Sequence, residues 1–121
     1  MNTTLWALQA LMSLTFLYSG VNKSIYSIRT LVDERGQTGV EGLPLFFVRF
    51  IGVSEILGAF GLVLPWALSI TAWMTPLTAV LLALVMVPAA VIHYRRNEPK
   101  NILTNVVLFA TGVVIAYGRF F

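Results

Sequence analysis

Four apolar runs, at about residues 5–22, 45–64, 72–92 and 102–118, constrain this 121-residue chain more than any other feature. At about 1.5 Å per residue, a helix over each run crosses roughly 30 Å of hydrocarbon. Hydrophobic residues make up 58% of the chain and charged residues 11%, with a mean hydropathy of +0.84. Soluble domains average about 45–50% apolar and about 25% charged residues. A soluble domain of this size hides only about two thirds of its surface on folding, so it could not conceal this much apolar side chain. The same composition excludes a disordered chain. No run alternates in the manner of a strand, and a membrane barrel needs at least about eight strands of some ten residues each. The expected fold is all-α: one integral membrane domain over residues 1–121, built as a four-helix bundle.

Local punctuation sets expectations for the ends of the spans. Thr3 and Thr4 are suited to cap the first helix, and Gly42-Leu43-Pro44 to open the second. Pro65 is expected to close the second helix, and Pro88 to kink the third and leave the Leu84 carbonyl without its usual donor. The first run carries no basic residue ahead of it and no small-residue cleavage pattern after it, so it reads as a retained span and not a signal peptide. The one long connection, Lys23 to Gly42, places Ile25, Ile28, Leu31 and Val32 on one helical face. That pattern fits a short amphipathic helix at the membrane interface, ended by Gly36, or a simple continuation of the first span. Trp6, Trp73, Tyr117, Phe120 and Phe121 suit aromatic belts at headgroup depth.

The charge distribution orients the chain. The first connection holds Lys23, Arg29 and Arg35, and the third holds Arg95, Arg96 and Lys100. The middle connection holds none, and the C-terminal tail only Arg119. Positive residues remain on the cytoplasmic side, so both termini are expected outside, in the inner membrane of a bacterial cell. The net charge of +3 then serves orientation and contact with anionic lipid, and nucleic acid is not an expected partner. The absence of cysteine removes disulfides, thiolate metal sites and dithiol redox chemistry. One histidine falls short of a zinc site or bis-histidine haem, so no metal is expected. No nucleophile elbow or Ser-His-Asp set is present.

Arg49 and Glu55 interrupt the second run. At mid-helix each costs about 2.5–3.5 kcal/mol to insert, so each must face the bundle and find a partner. Six residues separate them, about 9 Å along the axis and about 120° around it, which is a poor pairing on one helix. Ser19, Asn22 and Lys23 share a face near the end of the first span, and His93 ends the third. Topology therefore gathers Lys23, Arg49, Glu55 and His93 in one half of the bundle, with Ser19 and Asn22 beside them. Gly52, Gly58 and Gly61 form a small-residue stripe through Glu55, suited to close packing against the first or fourth span.

Several stretches resemble the DoxX-like family of small bacterial four-helix membrane proteins. They are Phe16-Leu17-Tyr18-Ser19-Gly20-Val21-Asn22-Lys23, residues 49–65 with the spacing R-x-x-G-x-x-E-x-x-G-x-x-G, residues 77–93, and Ala116-Tyr117-Gly118-Arg119-Phe120. The resemblance covers nearly the whole chain and implies a four-helix membrane fold, with the family's polar residues at Lys23, Arg49, Glu55 and His93. It implies no single function. Some relatives form the membrane part of a thiosulfate:quinone oxidoreductase, others associate with redox-defence enzymes, and distant eukaryotic ones assist assembly of acetylcholine receptors. Two readings follow. The first is a non-catalytic membrane subunit or assembly partner that binds lipid and other membrane chains, or copies of itself, and needs no cofactor. The alternative is a membrane subunit of a quinone-linked oxidoreductase, with a quinone headgroup at Glu55 and His93. A small-molecule or proton conduit would require oligomerisation. The polar cluster itself serves either as a binding site or as a structural ion-pair network.

Overall fold

The computed structural model describes residues 2–121. Four long helices run α1 (Asn2–Ile25), α3 (Leu45–Leu68), α4 (Met74–Arg95) and α5 (Pro99–Phe120), with a short α2 (Ile28–Asp33) and a 3-10 turn (Thr38–Val40) between α1 and α3. No strand occurs among the described residues. All four long helices are apolar enough to cross a bilayer. Their outward faces carry large apolar side chains that water would not tolerate; Leu14, Phe50, Leu57, Leu81 and Leu103 are each more than half exposed. This is a multi-pass membrane protein whose outer surface suits lipid.

The helices pack as two close pairs. In the first, α1 lies against α3, where a Cβ on Gly20 would come within 2.6 Å of the Gly52 carbonyl oxygen. In the second, α4 lies against α5, where a Cβ on Gly112 would lie 2.9 Å from both the Ala79 carbonyl and the Ala83 side chain. Without a hydrophobic drive between helices in lipid, such backbone approach is what gains dispersion contact. Met12, Phe16, Ala59, Leu62, Ala79, Leu82 and Ile115 fill the space between the pairs. The stripe on α3 serves both sides: Gly52 meets α1, whereas Gly58 faces Leu82 and Gly61 faces Thr78 of α4, the third span and not the fourth. All three glycines are thus used inside the bundle.

Several helix boundaries differ from the expected ones. Thr3 and Thr4 lie within α1 and not at its cap, because Asn2 before them is already helical. Pro65 does not end α3, which continues to Leu68. A proline there removes the N–H that would have bonded the Gly61 carbonyl. Thr75 of α4 repairs this: its hydroxyl donates to the Gly61 oxygen at 3.3 Å and accepts from the Trp66 N–H at 3.2 Å. The neighbouring Leu62 carbonyl accepts from Gln9 Nε2 of α1 at 2.7 Å. Helix α4 contains Pro88 within it, as expected, and runs on to Arg95. Ile25 belongs to α1, and α2 starts after Ser27, whose hydroxyl caps it at the Thr30 N–H. Leu31 is fully buried with Val40 and Val48, so α2 docks its apolar side on the protein itself as well as lying at the bundle end.

Two ends can now be distinguished. The basic end carries the long connection with α2, and the α4–α5 turn. The terminal end carries Asn2, Phe121 and the Ser69–Trp73 turn.

Candidate functional site

Toward the basic end the two helix pairs enclose a cavity of about 490 Å³, within the usual range for small-molecule sites. Phe16, Ser19 and Lys23 of α1 line it, with Ile51 and Glu55 of α3, Met86, Ala89 and His93 of α4, and Asn105 and Leu108 of α5. Residues Gly36, Gln37, Gly39, Val40 and Leu43 close its floor. Its wall is largely apolar, with a few polar groups concentrated toward the basic end.

The central contact is an ion pair between Lys23 Nζ and Glu55 Oε1 at 2.6 Å, with side-chain exposures of 15% and 7%. Glu55 sits near the middle of α3, so its carboxylate faces little water; Lys23 reaches it along a flexible four-carbon stem from the last turn of α1. The close Gly20–Gly52 crossing sets this reach, because it brings the two helix backbones together one turn from the pair.

Arg49 does not join the pair. Its Nη1 donates to the carbonyls of Lys23 and Tyr26, at 2.8 and 2.6 Å, and so caps the C-terminal end of α1, where unsatisfied carbonyls and the helix dipole favour a cation. Asn22 is buried but donates to the Tyr18 carbonyl of its own helix, and it does not line the cavity. Ser19 does line it. His93 lines it too, but pairs with Glu98 and not with Glu55: Nδ1 donates to Oε1 at 2.8 Å. Glu98 is held below the ordinary carboxylate range, first by this hydrogen bond and further by Thr38 and Arg96, against burial, which acts the other way. An ionised carboxylate only accepts, so Nδ1 carries the hydrogen and Nε2 is the uncommitted ring nitrogen. Of the six polar residues expected together, Lys23, Glu55, His93 and Ser19 share the cavity, and Arg49 and Asn22 serve the end and body of α1.

Two features escaped the sequence reading. Asn105 is 7% exposed and lines the cavity, and its Nδ2 has no hydrogen-bond partner among the described residues. A lone asparagine in an apolar run was the available signal. At the terminal end, Arg119 is buried: Nε donates to Gln9 Oε1 at 2.8 Å and Nη1 to Asn2 Oδ1 at 2.6 Å. Its guanidinium lies over the rings of Trp66 and Trp6, at 4.5 and 5.2 Å, and such cation–π contacts favour a desolvated arginine. This residue ties α5 to α1, and through Gln9 to the Leu62 carbonyl of α3. Counting it only as a tail charge hid that role.

No cluster of three or more potential metal ligands occurs among the described residues. The chain has no match among curated proteins or among solved structures. Residues 7–115 match the DoxX-like family model, and a match over most of the length, joined to four membrane-spanning helices, makes this chain a member of the DoxX-like family.

Proposed function

We propose that this protein is a non-catalytic membrane subunit or assembly partner whose cavity holds a small amphipathic molecule. The supporting observation is the Lys23–Glu55 pair in the wall of a largely apolar cavity of about 490 Å³. A network that only fixed helix register would need no space beside it, and ionisable groups within a membrane domain are functional candidates by default. Partner chains would dock on the lipid-facing surfaces. In the proposed orientation the basic end is cytoplasmic and both termini lie outside, in a bacterial inner membrane. A cysteine added after Phe121 is then labelled by an impermeant thiol reagent on intact cells, and protection would reverse the orientation.

A second reading, a membrane subunit of a quinone-linked oxidoreductase, draws on one observation: His93 offers Nε2 at the cavity while Glu98 fixes Nδ1. A quinone carbonyl oxygen suits the Asn105 amide donor, and the hydroxyl of the reduced form suits His93 Nε2 as acceptor, so the residues fit such a group. When bound, the quinone would supply two-electron carriage. His93 and Asn105 would orient its head, and the apolar wall would exclude water.

Extraction of the protein purified with native lipid tests both readings. A stoichiometric quinone supports the second; another bound amphiphile supports the first. Glu55→Gln then separates site from scaffold. Breaking a buried pair costs about 3–5 kcal/mol where the remaining charge is stranded. Ligand loss with retained thermal stability supports a binding role. Lost stability, with ligand retained by the surviving folded fraction, refutes it.

A further inference from the structure

The two helix pairs are joined unevenly. At the terminal end they are locked by Arg119 on Gln9 and Asn2, by Thr75 on Gly61, and by Gly58 against Leu82. At the basic end the ties from α4–α5 to the connection before α3 are side-chain contacts, Arg96 to Glu41 at 3.2 Å and Asn101 to Thr38 at 3.4 Å. Both end on the segment that forms the cavity floor. The floor is therefore laid across the gap and fastened to the opposite pair.

The flanks are different. Thr15 of α1 and Thr104 of α5 both line the cavity and both remain exposed, as does Val85 of α4; Phe47 and Ile92 near the basic end, and Gly36 in the floor itself, are exposed lining residues too. Thr15 lies about 15 Å before the end of α1, and Thr104 about 8 Å into α5, at about 1.5 Å per residue. The openings at Thr15, Val85 and Thr104 sit at hydrocarbon depth, whereas the water-facing end is crossed by the floor and its two side-chain ties. Inside, the charges are committed, Lys23 to Glu55 and His93 to Glu98, whereas the Asn105 amide keeps a free donor. That donor suits a hydroxyl or carbonyl oxygen, and nothing in the wall offers an unpaired cation to a carboxylate.

We infer that the cavity takes a neutral, single-chain amphiphile with a hydroxyl or carbonyl head directly from the bilayer, through the flanks between the helix pairs, and not from water through the floor. This rests on the reading that the cavity binds a small amphipathic molecule.

The chain's lack of cysteine makes the test clean. The full-length Thr38→Cys/Asn101→Cys variant is placed in phosphatidylcholine vesicles and its floor bridged with a short bifunctional thiol reagent. A dodecanol carrying a diazirine is then added and photolysed. The readout is labelling of Phe16 and Met86, which are 2% and 8% exposed, that excess dodecanol abolishes. Glu41→Cys/Arg96→Cys replaces the first variant if that one does not fold. The expected result is the same competable labelling with and without the bridge, with dodecanoate at alkaline pH at least about tenfold weaker than dodecanol as competitor. Labelling that the bridge abolishes would place access at the floor and overturn the inference while sparing the binding reading. Equal competition by dodecanoate would overturn the neutral head. Absence of competable labelling in both states would sink the binding reading and this inference with it.

Discussion

Thr75→Val probes how α3 survives its internal proline. The substitution removes a fully buried hydroxyl and leaves side-chain shape nearly unchanged. It strands two backbone groups at once, the Gly61 carbonyl, which has already lost its donor to Pro65, and the Trp66 N–H. A buried polar group left without a partner costs about 1–3 kcal/mol, and measured interhelical hydrogen bonds in membranes average about 0.6 and reach about 1.7 kcal/mol. The expected loss is about 1–2 kcal/mol. The decisive measurement is a double-mutant cycle, followed by unfolding in mixed micelles. Pro65→Ala restores an N–H to the Gly61 carbonyl within the helix, so Thr75→Val should cost about 1 kcal/mol less in that background. Equal costs in the two backgrounds would show that the threonine does not stand in for the missing donor.

Two further outcomes follow from the same geometry. Gly20→Ala places a Cβ 2.6 Å from the Gly52 carbonyl, backbone against backbone with no side chain able to yield, so the α1–α3 crossing must open; a loss of about 1–3 kcal/mol in the same unfolding assay is expected, and one below about 0.5 kcal/mol would contradict the close approach. Glu98 has a lowered pKa in the folded protein, so its stabilising contribution is complete above the ordinary carboxylate range and is lost as pH falls through the lowered value. Glu98→Gln should therefore flatten the acid side of the stability profile, and an unchanged acid limb would remove the His93–Glu98 contact from the account.

Much of the candidate site was legible because hydrocarbon is a severe solvent. Glu55 in an apolar run had to be paired, and Lys23 at the foot of α1 was among the few cations within reach. The partner choices of Arg49 and His93 were not legible. Arg49 found the open carbonyls of Lys23 and Tyr26 because α1 ends beside it, and His93 found Glu98 because a tight turn with Asn97 at a φ of +61° folds that carboxylate back. Neither the end of a helix nor the return of a turn is written in the spacing of charges.

The linear pattern alone determined four spans, because apolar runs of this length leave no soluble alternative, and it determined that a few charges must lie within them. Only the packed structure decided which helices pair and where a cavity forms. The Arg119 tie to α1 and the close approach at Gly112 hold the terminal half of the bundle together, whereas the Gly20–Gly52 crossing joins α1 to α3 beside the cavity at the basic end. Those contacts join residues up to 117 positions apart, and such distances carry no trace in local periodicity.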